Sequence, residues 1–204
     1  DRDSIIAFQG ECYQENGEYQ DAIENFTKAI DINSKNAKYY NDRGRCLNKL
    51  KKYKDAKIDY DKAIKLDSDN VDYYLNRGYN SRDQKLYSLS LTDCELAIDL
   101  KPTSLSYVLK GMNHFDLKRY SEAINDYTKA LKFLDHDDYN TYYKRGNANY
   151  RLGKLADAIE DYTKAIKRKP NEYGYTKAYR NRGIARYETC KDGACDDLKK
   201  AGDL

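Results

Sequence analysis

The chain has 204 residues, of which 35% are charged and 40% are hydrophobic, and its 37 basic and 34 acidic residues leave a net charge of only +3. Because both signs alternate along the sequence, no block of like charge indicates a tail that binds a polyanion. Charged residues also interrupt every apolar run, and a transmembrane helix needs about 18 consecutive apolar residues. The composition therefore predicts no insertion into a membrane.

One glycine recurs at nearly constant spacing through the whole chain. Its positions, 33 to 37 residues apart, are Gly10, Gly44, Gly78, Gly111, Gly146 and Gly183. A period of this length is the signature of a repeat protein, in which each unit packs mainly against its neighbours. We predict a single domain, 1–204, with repeats at approximately 3–36, 37–70, 71–103, 104–138, 139–175 and 176–204.

Each predicted repeat begins with a helix that contains the glycine. The position four residues before it is uniformly large and apolar: Ile6, Tyr40, Tyr74, Tyr107, Tyr142 and Tyr179. The position three residues after it loses its apolar character along the chain: Tyr13, Leu47, Ser81, His114, Asn149 and Arg186. Glycine removes a side chain where two helices approach closely, which offsets its cost of about 1 kcal/mol in a helix.

A second helix follows a short polar turn in each repeat. Three positions, spaced by four and three residues, alternate small, large and small, as in Ala56, Tyr60 and Ala63 or Ala123, Tyr127 and Ala130. This spacing places them on one face of a helix. The pattern predicts a helix-packing seam.

The combined pattern of aromatic, Gly, Ala, aromatic and Ala positions resembles the tetratricopeptide repeat (TPR). Residues 142–170, YYKRGNANYRLGKLADAIEDYTKAIKRKP, match it almost position for position, and the resemblance covers essentially the whole chain. It implies an all-α fold, a right-handed superhelical solenoid of six helix-turn-helix repeats. It also implies that the first helices line a concave groove and the second helices form the convex side.

A second regularity predicts ion pairs between the two helices of each repeat. The residue before the glycine is basic wherever the residue fifteen after the glycine, or fourteen after it in the last repeat, which is one residue shorter here, is acidic. In the first repeat both are neutral, Gln9 and Asn25. The predicted pairs are Arg43 with Asp59, Arg77 with Asp93, Lys110 with Asp126, Arg145 with Asp161, and Arg182 with Asp197. We interpret them as structural, since charge-assisted hydrogen bonds would join the two helices.

Positions that do not repeat are the candidates for function. In the fourth repeat all four predicted groove positions are apolar: Leu105, Val108, Met112 and Phe115. The rest of the predicted peptide-binding groove is Leu75, Tyr79, Arg82, Tyr143, Asn147, Tyr150, Lys177 and Arg180. A contiguous apolar surface indicates a binding site for an amphipathic helix or an extended peptide. For Tyr143 and Tyr150, packing within the solenoid is an equally open interpretation.

Other functions find little support in the sequence. The only histidines, His114 and His136, have no neighbouring nucleophile in a known pattern, so we predict no enzyme, no cofactor and no small-molecule substrate. The acidic stretch LDHDD, residues 134–138, is interpreted as a solvated loop, and no metal site is predicted. The residue set that clamps the carboxylates of chaperone tails in some TPR proteins is incomplete, and the second-helix lysines alternate with acids, which disfavours nucleic acid.

Five cysteines are present, of which Cys190 and Cys195 bracket the KDGA turn. A disulfide between these two is geometrically allowed in an oxidising compartment. The sequence favours a cytoplasmic protein, with a periplasmic or exported one left open because a removed signal peptide leaves no trace.

We therefore predict a non-catalytic adaptor or scaffold that binds a protein segment, with a bias towards acidic ligands from groove residues such as Arg82, Lys177 and Arg180. The alternative is an architectural or regulatory arm of a larger assembly. This arm would contact its partners through the convex face or the C-terminal repeat seam, at Leu198 and Ala201, where self-association is also open.

Overall fold

A computed structural model of the chain describes residues 1–133, 138–168 and 172–202, with side chains described for all of these except residues 168 and 172–175. Twelve α-helices occur in this part of the chain. They are α1 (Arg2–Glu15), α2 (Tyr19–Ile32), α3 (Ala37–Lys49), α4 (Tyr53–Leu66), α5 (Val71–Asp83), α6 (Tyr87–Leu100), α7 (Ser104–Asp116), α8 (Tyr120–Lys132), α9 (Tyr139–Arg151), α10 (Leu155–Arg168), α11 (Glu172–Glu188) and α12 (Ala194–Gly202). None of these described helices is long and apolar enough to cross a membrane.

The helices form hairpins that pack consecutively within two compact units. Unit 1 is Asp1–Pro102 and holds α1 to α6, and unit 2 is Thr103–Leu204 and holds α7 to α12. In each unit the most extensive contacts join the two helices of a hairpin, and the next most extensive join each hairpin to the following one. The predicted all-α architecture of consecutive helix-turn-helix repeats is confirmed within each unit.

The turns inside the hairpins share one backbone device. The residue seven positions after each repeat glycine has positive φ: Gly17, Lys51, Lys85, Lys118, Gly153 and Cys190. This left-handed conformation ends the first helix, and glycine adopts it without the steric cost of a side chain. Asn36, Asn70, Thr103 and Asp138 then accept backbone N–H hydrogen bonds at the starts of α3, α5, α7 and α9.

The repeat glycines let each first helix approach a large side chain of the second helix. A Cβ atom added at Gly44 would lie 2.8 Å from Tyr60 Cε1, and one at Gly111 would lie 2.7 Å from Tyr127 Cε1. Tyr60 and Tyr127 are buried, as are the alanines on the same helix faces. The small, large, small seam is therefore the core of each hairpin.

Candidate functional site

Ion pairs between an arginine, in most cases half-buried, and a buried aspartate join the two helices of most hairpins. Arg43 Nε and Nη2 donate to the two carboxylate oxygens of Asp59 at 2.8 and 2.7 Å. The equivalent pairs Arg77 with Asp93, Arg145 with Asp161 and Arg182 with Asp197 each include a contact of 2.6 Å. Two parallel N–H to oxygen bonds fix both side chains in one geometry.

The same arginines also reach the preceding hairpin. Nη1 of Arg43, Arg145 and Arg182 donates to a threonine hydroxyl at 3.1 Å, namely Thr27, Thr128 and Thr163, and Arg77 Nη1 lies 2.7 Å from Asp61 Oδ1. Each arginine therefore joins three helices. The sequence prediction did not include this contact, although the recurring Thr of FTKAI, YTKAL and YTKAI, replaced by Asp in YDKAI, is a signal for it.

The fourth repeat differs from the others at its predicted pair. Asp126 lies 2.6 Å from His114 Nδ1, a partner that was not predicted, since the sequence pattern pairs this aspartate with Lys110. Burial raises the pKa of Asp126, while the hydrogen bond with His114 and the charges of His114 and Lys110 act against that rise. In the fourth repeat, the residue three positions after the repeat glycine, His114, is therefore the partner of the buried Asp126.

The same position has this role in the other repeats of unit 2. Asn149 Nδ2 donates to Asp161 Oδ2 at 2.9 Å, and Arg186 Nη1 lies 2.9 Å from Asp197 Oδ2. The loss of apolar character along this position, noted from the sequence, thus coincides with a second donor for a buried carboxylate.

In the structure, some of the predicted groove residues are buried in the core and others are open to solvent. Leu75 is only 2% exposed, so its prediction as a groove residue is wrong, because its side chain lies in the core of unit 1. Leu105 is 48% exposed, whereas Val108 is half-buried. Met112 and Phe115 are half-buried and pack against a core cluster of α8 and α9. Only part of the apolar set of the fourth repeat is therefore open to a ligand.

The predicted tyrosines differ in their contacts. The Tyr143 ring lies 6.0 Å from Tyr139 and 5.9 Å from Tyr162, measured between ring centroids. Tyr150 donates its hydroxyl hydrogen to Glu188 at 2.5 Å. Burial raises the pKa of the half-buried Tyr79 to about 12. Of the predicted basic residues, Arg82 is half-buried, and Lys177 and Arg180 are exposed at the surface of α11.

Unit 2 contains a cleft of about 380 Å³ between side chains of α7, α9, α10 and α11. Its lining residues are Phe115, Asn147, Tyr150, Arg151, Tyr162, Asn181 and Ile184. Three of these, Phe115, Asn147 and Tyr150, belong to the predicted groove set. This cleft therefore brings together predicted groove residues of repeats four and five with α11 of repeat six.

Two asparagine side chains on neighbouring helices line this cleft. Asn147 Oδ1 accepts hydrogen bonds from the Tyr162 hydroxyl at 2.9 Å and from Asn181 Nδ2 at 3.0 Å, and Asn181 Nδ2 also lies 3.1 Å from the Tyr143 hydroxyl. These bonds fix the orientation of both amides. Within the described residues, Asn147 Nδ2 and Asn181 Oδ1 take no hydrogen bond, so a donor and an acceptor remain for a ligand.

The cysteines are free thiols in the structure, including Cys190 and Cys195, both exposed. The disulfide that the sequence allowed is not formed. Cys190 instead takes the positive-φ position that follows α11, where its backbone N–H donates to the Tyr187 carbonyl. Burial raises the pKa of Cys46 to about 12, which keeps this thiol protonated and unreactive at neutral pH.

Among the described residues, no group of three or more His, Cys, Asp or Glu side chains is arranged to hold a metal ion. The interpretation of LDHDD as a solvated loop rests mainly on residues 134–137, which lie outside the described part of the chain. Asp138 is described, and its carboxylate accepts hydrogen bonds from the backbone N–H groups of Asn140 and Thr141. This carboxylate acts as the cap of α9.

Comparison with known families agrees with this geometry. The family profile described as "Tetratricopeptide repeat" matches residues 8–36, 37–70 and 139–172, and the profile described as "TPR repeat" matches residues 111–153. The matched residues are more than half of the chain, so the chain belongs to the tetratricopeptide repeat family, and the resemblance given by the residue pattern is confirmed. This family is generally a non-enzymatic fold for protein–protein interaction, which supports a scaffold that binds other proteins.

Solved structures with the same fold include those of YrrB, MamA and PilF. YrrB, described as "a TPR protein with an unusual peptide-binding site", is 23% identical with a TM-score of 0.68, over 87% of this chain and 91% of that chain. MamA is 26% identical with a TM-score of 0.70, over 81% and 89%. PilF of Pseudomonas aeruginosa is 17% identical with a TM-score of 0.84, over 98% and 88%. No curated protein sequence matches the chain significantly.

Proposed function

We propose that the chain is a non-catalytic adaptor that binds an extended peptide segment in the cleft of unit 2. The observation that carries the proposal is the pair Asn147 and Asn181, fixed side by side with one donor and one acceptor left for a ligand. An extended peptide backbone offers N–H and C=O groups that match such a pair. The cleft size of about 380 Å³ is in the range of a ligand site.

The cleft walls favour a peptide with an apolar or aromatic anchor. Phe115 and Ile184 are half-buried and supply apolar surface on α7 and α11. The exposed guanidinium of Arg151 lines the same cleft, which favours an acidic group in the ligand. Because the amides are fixed before the ligand arrives, the ordering cost of binding is smaller.

The similarity to YrrB also supports a peptide ligand, since YrrB has the same fold and is described as having a peptide-binding site. The cleft proposed here differs from the sequence prediction, which centred the apolar anchors on the fourth repeat. Leu105 remains a candidate contact because its side chain is 48% exposed.

The experiment is a selection of displayed random peptides on the purified chain, followed by affinity measurements with labelled synthetic copies of the selected peptides. We expect Ile184→Glu to weaken binding by at least about tenfold, since a charge would enter the apolar wall. Arg151→Glu is expected to weaken selectively the peptides that carry Asp or Glu. The matched control is Ile58→Glu, which adds the same charge at an exposed isoleucine of α4 in unit 1.

Peptides that bind wild type and Ile184→Glu equally would contradict the proposal, as would a selection that enriches no sequence. Circular dichroism of each variant checks that the helices are retained. The alternative function, an architectural arm that contacts its partners through the C-terminal seam, is supported by the exposure of Leu198 on α12. It predicts contacts that Leu198→Asp removes and Ile184→Glu leaves intact.

A further inference from the structure

The outer surface of α6 breaks the charge pattern of the other second helices. At the position eleven after the repeat glycine, four other repeats place an acid: Asp21, Asp55, Glu122 and Asp157. At the position eighteen after it, four other repeats place a lysine: Lys28, Lys62, Lys129 and Lys164. In the third repeat both positions are leucines, Leu89 and Leu96.

These leucines are open to solvent. Leu89 is 52% exposed and Leu96 is 41% exposed, and Leu86 and Leu100 are exposed as well. Leu89, Leu96 and Leu100 are separated by seven and four residues, so they lie along one face of α6. We call Leu86, Leu89, Leu96 and Leu100 the leucine stripe. Leu86, Leu89 and Leu96 stand at positions that are charged in most other repeats, whereas the position of Leu100 is also apolar in three of them: Ile32, Leu66 and Phe133. An exposed apolar stripe that replaces charges in this way indicates a surface that is covered in use.

Two of the exposed charges near the stripe, Lys85 and Asp99, have positions that suit pairing with a second copy of the chain. Exposed Lys85 lies before the amino end of α6, and exposed Asp99 lies near its carboxyl end. Consider two α6 helices packed antiparallel, with a two-fold axis level with the midpoint between Leu89 and Leu96. Each Leu89 then faces Leu96 of the second copy, and each Lys85 comes near Asp99 of the second copy. A parallel pair would instead bring like charges together.

We infer that the leucine stripe of α6 is a homodimer interface, in which two copies of the chain pack antiparallel about a two-fold axis. Such an interface uses the same surface on both subunits and must be self-complementary, as the stripe and its two flanking charges are. Because one helix from each copy buries less area than a standard interface, the dimer is expected to be weak and concentration-dependent.

The test is sedimentation velocity of the full chain over a series of concentrations from micromolar upwards. Wild type is expected to shift from monomer to dimer. The double variant Leu89→Asp with Leu96→Lys gives α6 the residue types that α4 has at the equivalent positions, Asp55 and Lys62. The fold should therefore be retained, while the dimer dissociation constant is expected to rise by at least about tenfold. The matched control is Ile58→Lys, since Ile58 is 66% exposed but lies outside the stripe.

A charge exchange tests the antiparallel arrangement. Lys85→Glu alone and Asp99→Lys alone are each expected to weaken the dimer, and the two together are expected to restore it. Wild type that stays monomeric at every concentration would overturn the inference, and so would a dimer that survives Leu89→Asp with Leu96→Lys. If the double variant, Lys85→Glu with Asp99→Lys, dimerises no more tightly than either single variant, the antiparallel pairing is overturned. Ile184→Glu should leave the dimer unchanged, which separates this interface from the peptide cleft.

Discussion

In unit 1 the buried aspartates of α4 and α6 take their described hydrogen bonds from one arginine each, Asp59 from Arg43 and Asp93 from Arg77. In unit 2 the equivalent aspartates gain a partner at the position three after the repeat glycine: Asp126 pairs with His114, Asp161 with Asn149 and Asp197 with Arg186. That position holds Leu47 and Ser81 in the second and third repeats of unit 1.

The difference shows that one position of the repeat serves two physical purposes. Leu47 packs against Ala56 and Tyr60, so in the second repeat the position adds apolar area to the core. Asn149 instead supplies a second hydrogen bond to Asp161, which is 3% exposed. A buried charge is stabilised by each added donor. In the fifth and sixth repeats, unit 2 therefore divides between two side chains the hydrogen bonds that one arginine supplies in unit 1.

The largest expected effect comes from removal of the arginine. Arg43→Met leaves Asp59 buried without its described donors, and we expect a loss of about 3–5 kcal/mol in the free energy of unfolding. Arg145→Met should cost less because Asn149 still donates to Asp161. Urea denaturation followed by circular dichroism measures both. The control is Lys57→Met, which removes a solvent-exposed partner of Asp61 and should cost at most about 1 kcal/mol. Equal losses for the two arginine variants would contradict the comparison.

The glycine contacts, in contrast, should behave alike in both units. Gly44→Ala and Gly111→Ala each place a methyl group within 2.8 Å of a buried tyrosine ring. We expect each to destabilise its unit by about 1–3 kcal/mol, since the ring cannot move without disturbing the core. Gly202→Ala is the control because nothing lies within 4 Å of its added Cβ. A loss confined to one unit would show that packing, too, differs between them.

An exchange at the divergent position sharpens the comparison further. Asn149→Leu introduces the side chain that unit 1 has at Leu47 and removes one hydrogen bond to Asp161, for an expected loss of about 1–2 kcal/mol. Combined with Arg145→Met in a double-mutant cycle, it should cost more than the sum of the two single losses, because either donor alone partly compensates the same carboxylate. Additive losses in the cycle would show that the two donors act independently.

The helical repeats were predictable from the sequence because Gly, Ala and Tyr recur at fixed spacing, and helix packing depends on that spacing of small and large side chains. The contact between Asp126 and His114 was not, since the position of His114 holds an apolar or aromatic side chain in the first two repeats, and the repeating basic position predicted Lys110 as the partner. The groove was predicted at the level of a helix face. Leu75 shows the limit of that approach, because the same face carries both core and open positions and only side-chain packing separates them.

The smallest expected effect is a difference in pH dependence between Asp61 in unit 1 and Asp126 in unit 2. Burial acts to raise the pKa of Asp61, but hydrogen bonds and charge from Lys57 and Arg77 lower it overall. Burial raises the pKa of Asp126 against the opposing effects of His114, Lys110 and Lys129. The two carboxylates should therefore change stability with opposite sign as the pH changes.

A lowered pKa in the folded state means that the unfolded chain binds more protons, so the contribution of Asp61 is present above its unfolded pKa of about 4 and is lost as the pH falls through the folded value. For Asp126 the folded state binds more protons, so its contribution is present below about pH 4 and is lost as the pH rises through the folded value. The stability loss caused by Asp61→Asn should thus shrink on acidification, and that caused by Asp126→Asn should shrink as the pH rises. Urea midpoints of wild type and both variants between about pH 3 and pH 7 measure this. If the stability differences from wild type change in the same direction with pH for both variants, the two carboxylates do not have opposite pH dependence and the prediction is wrong.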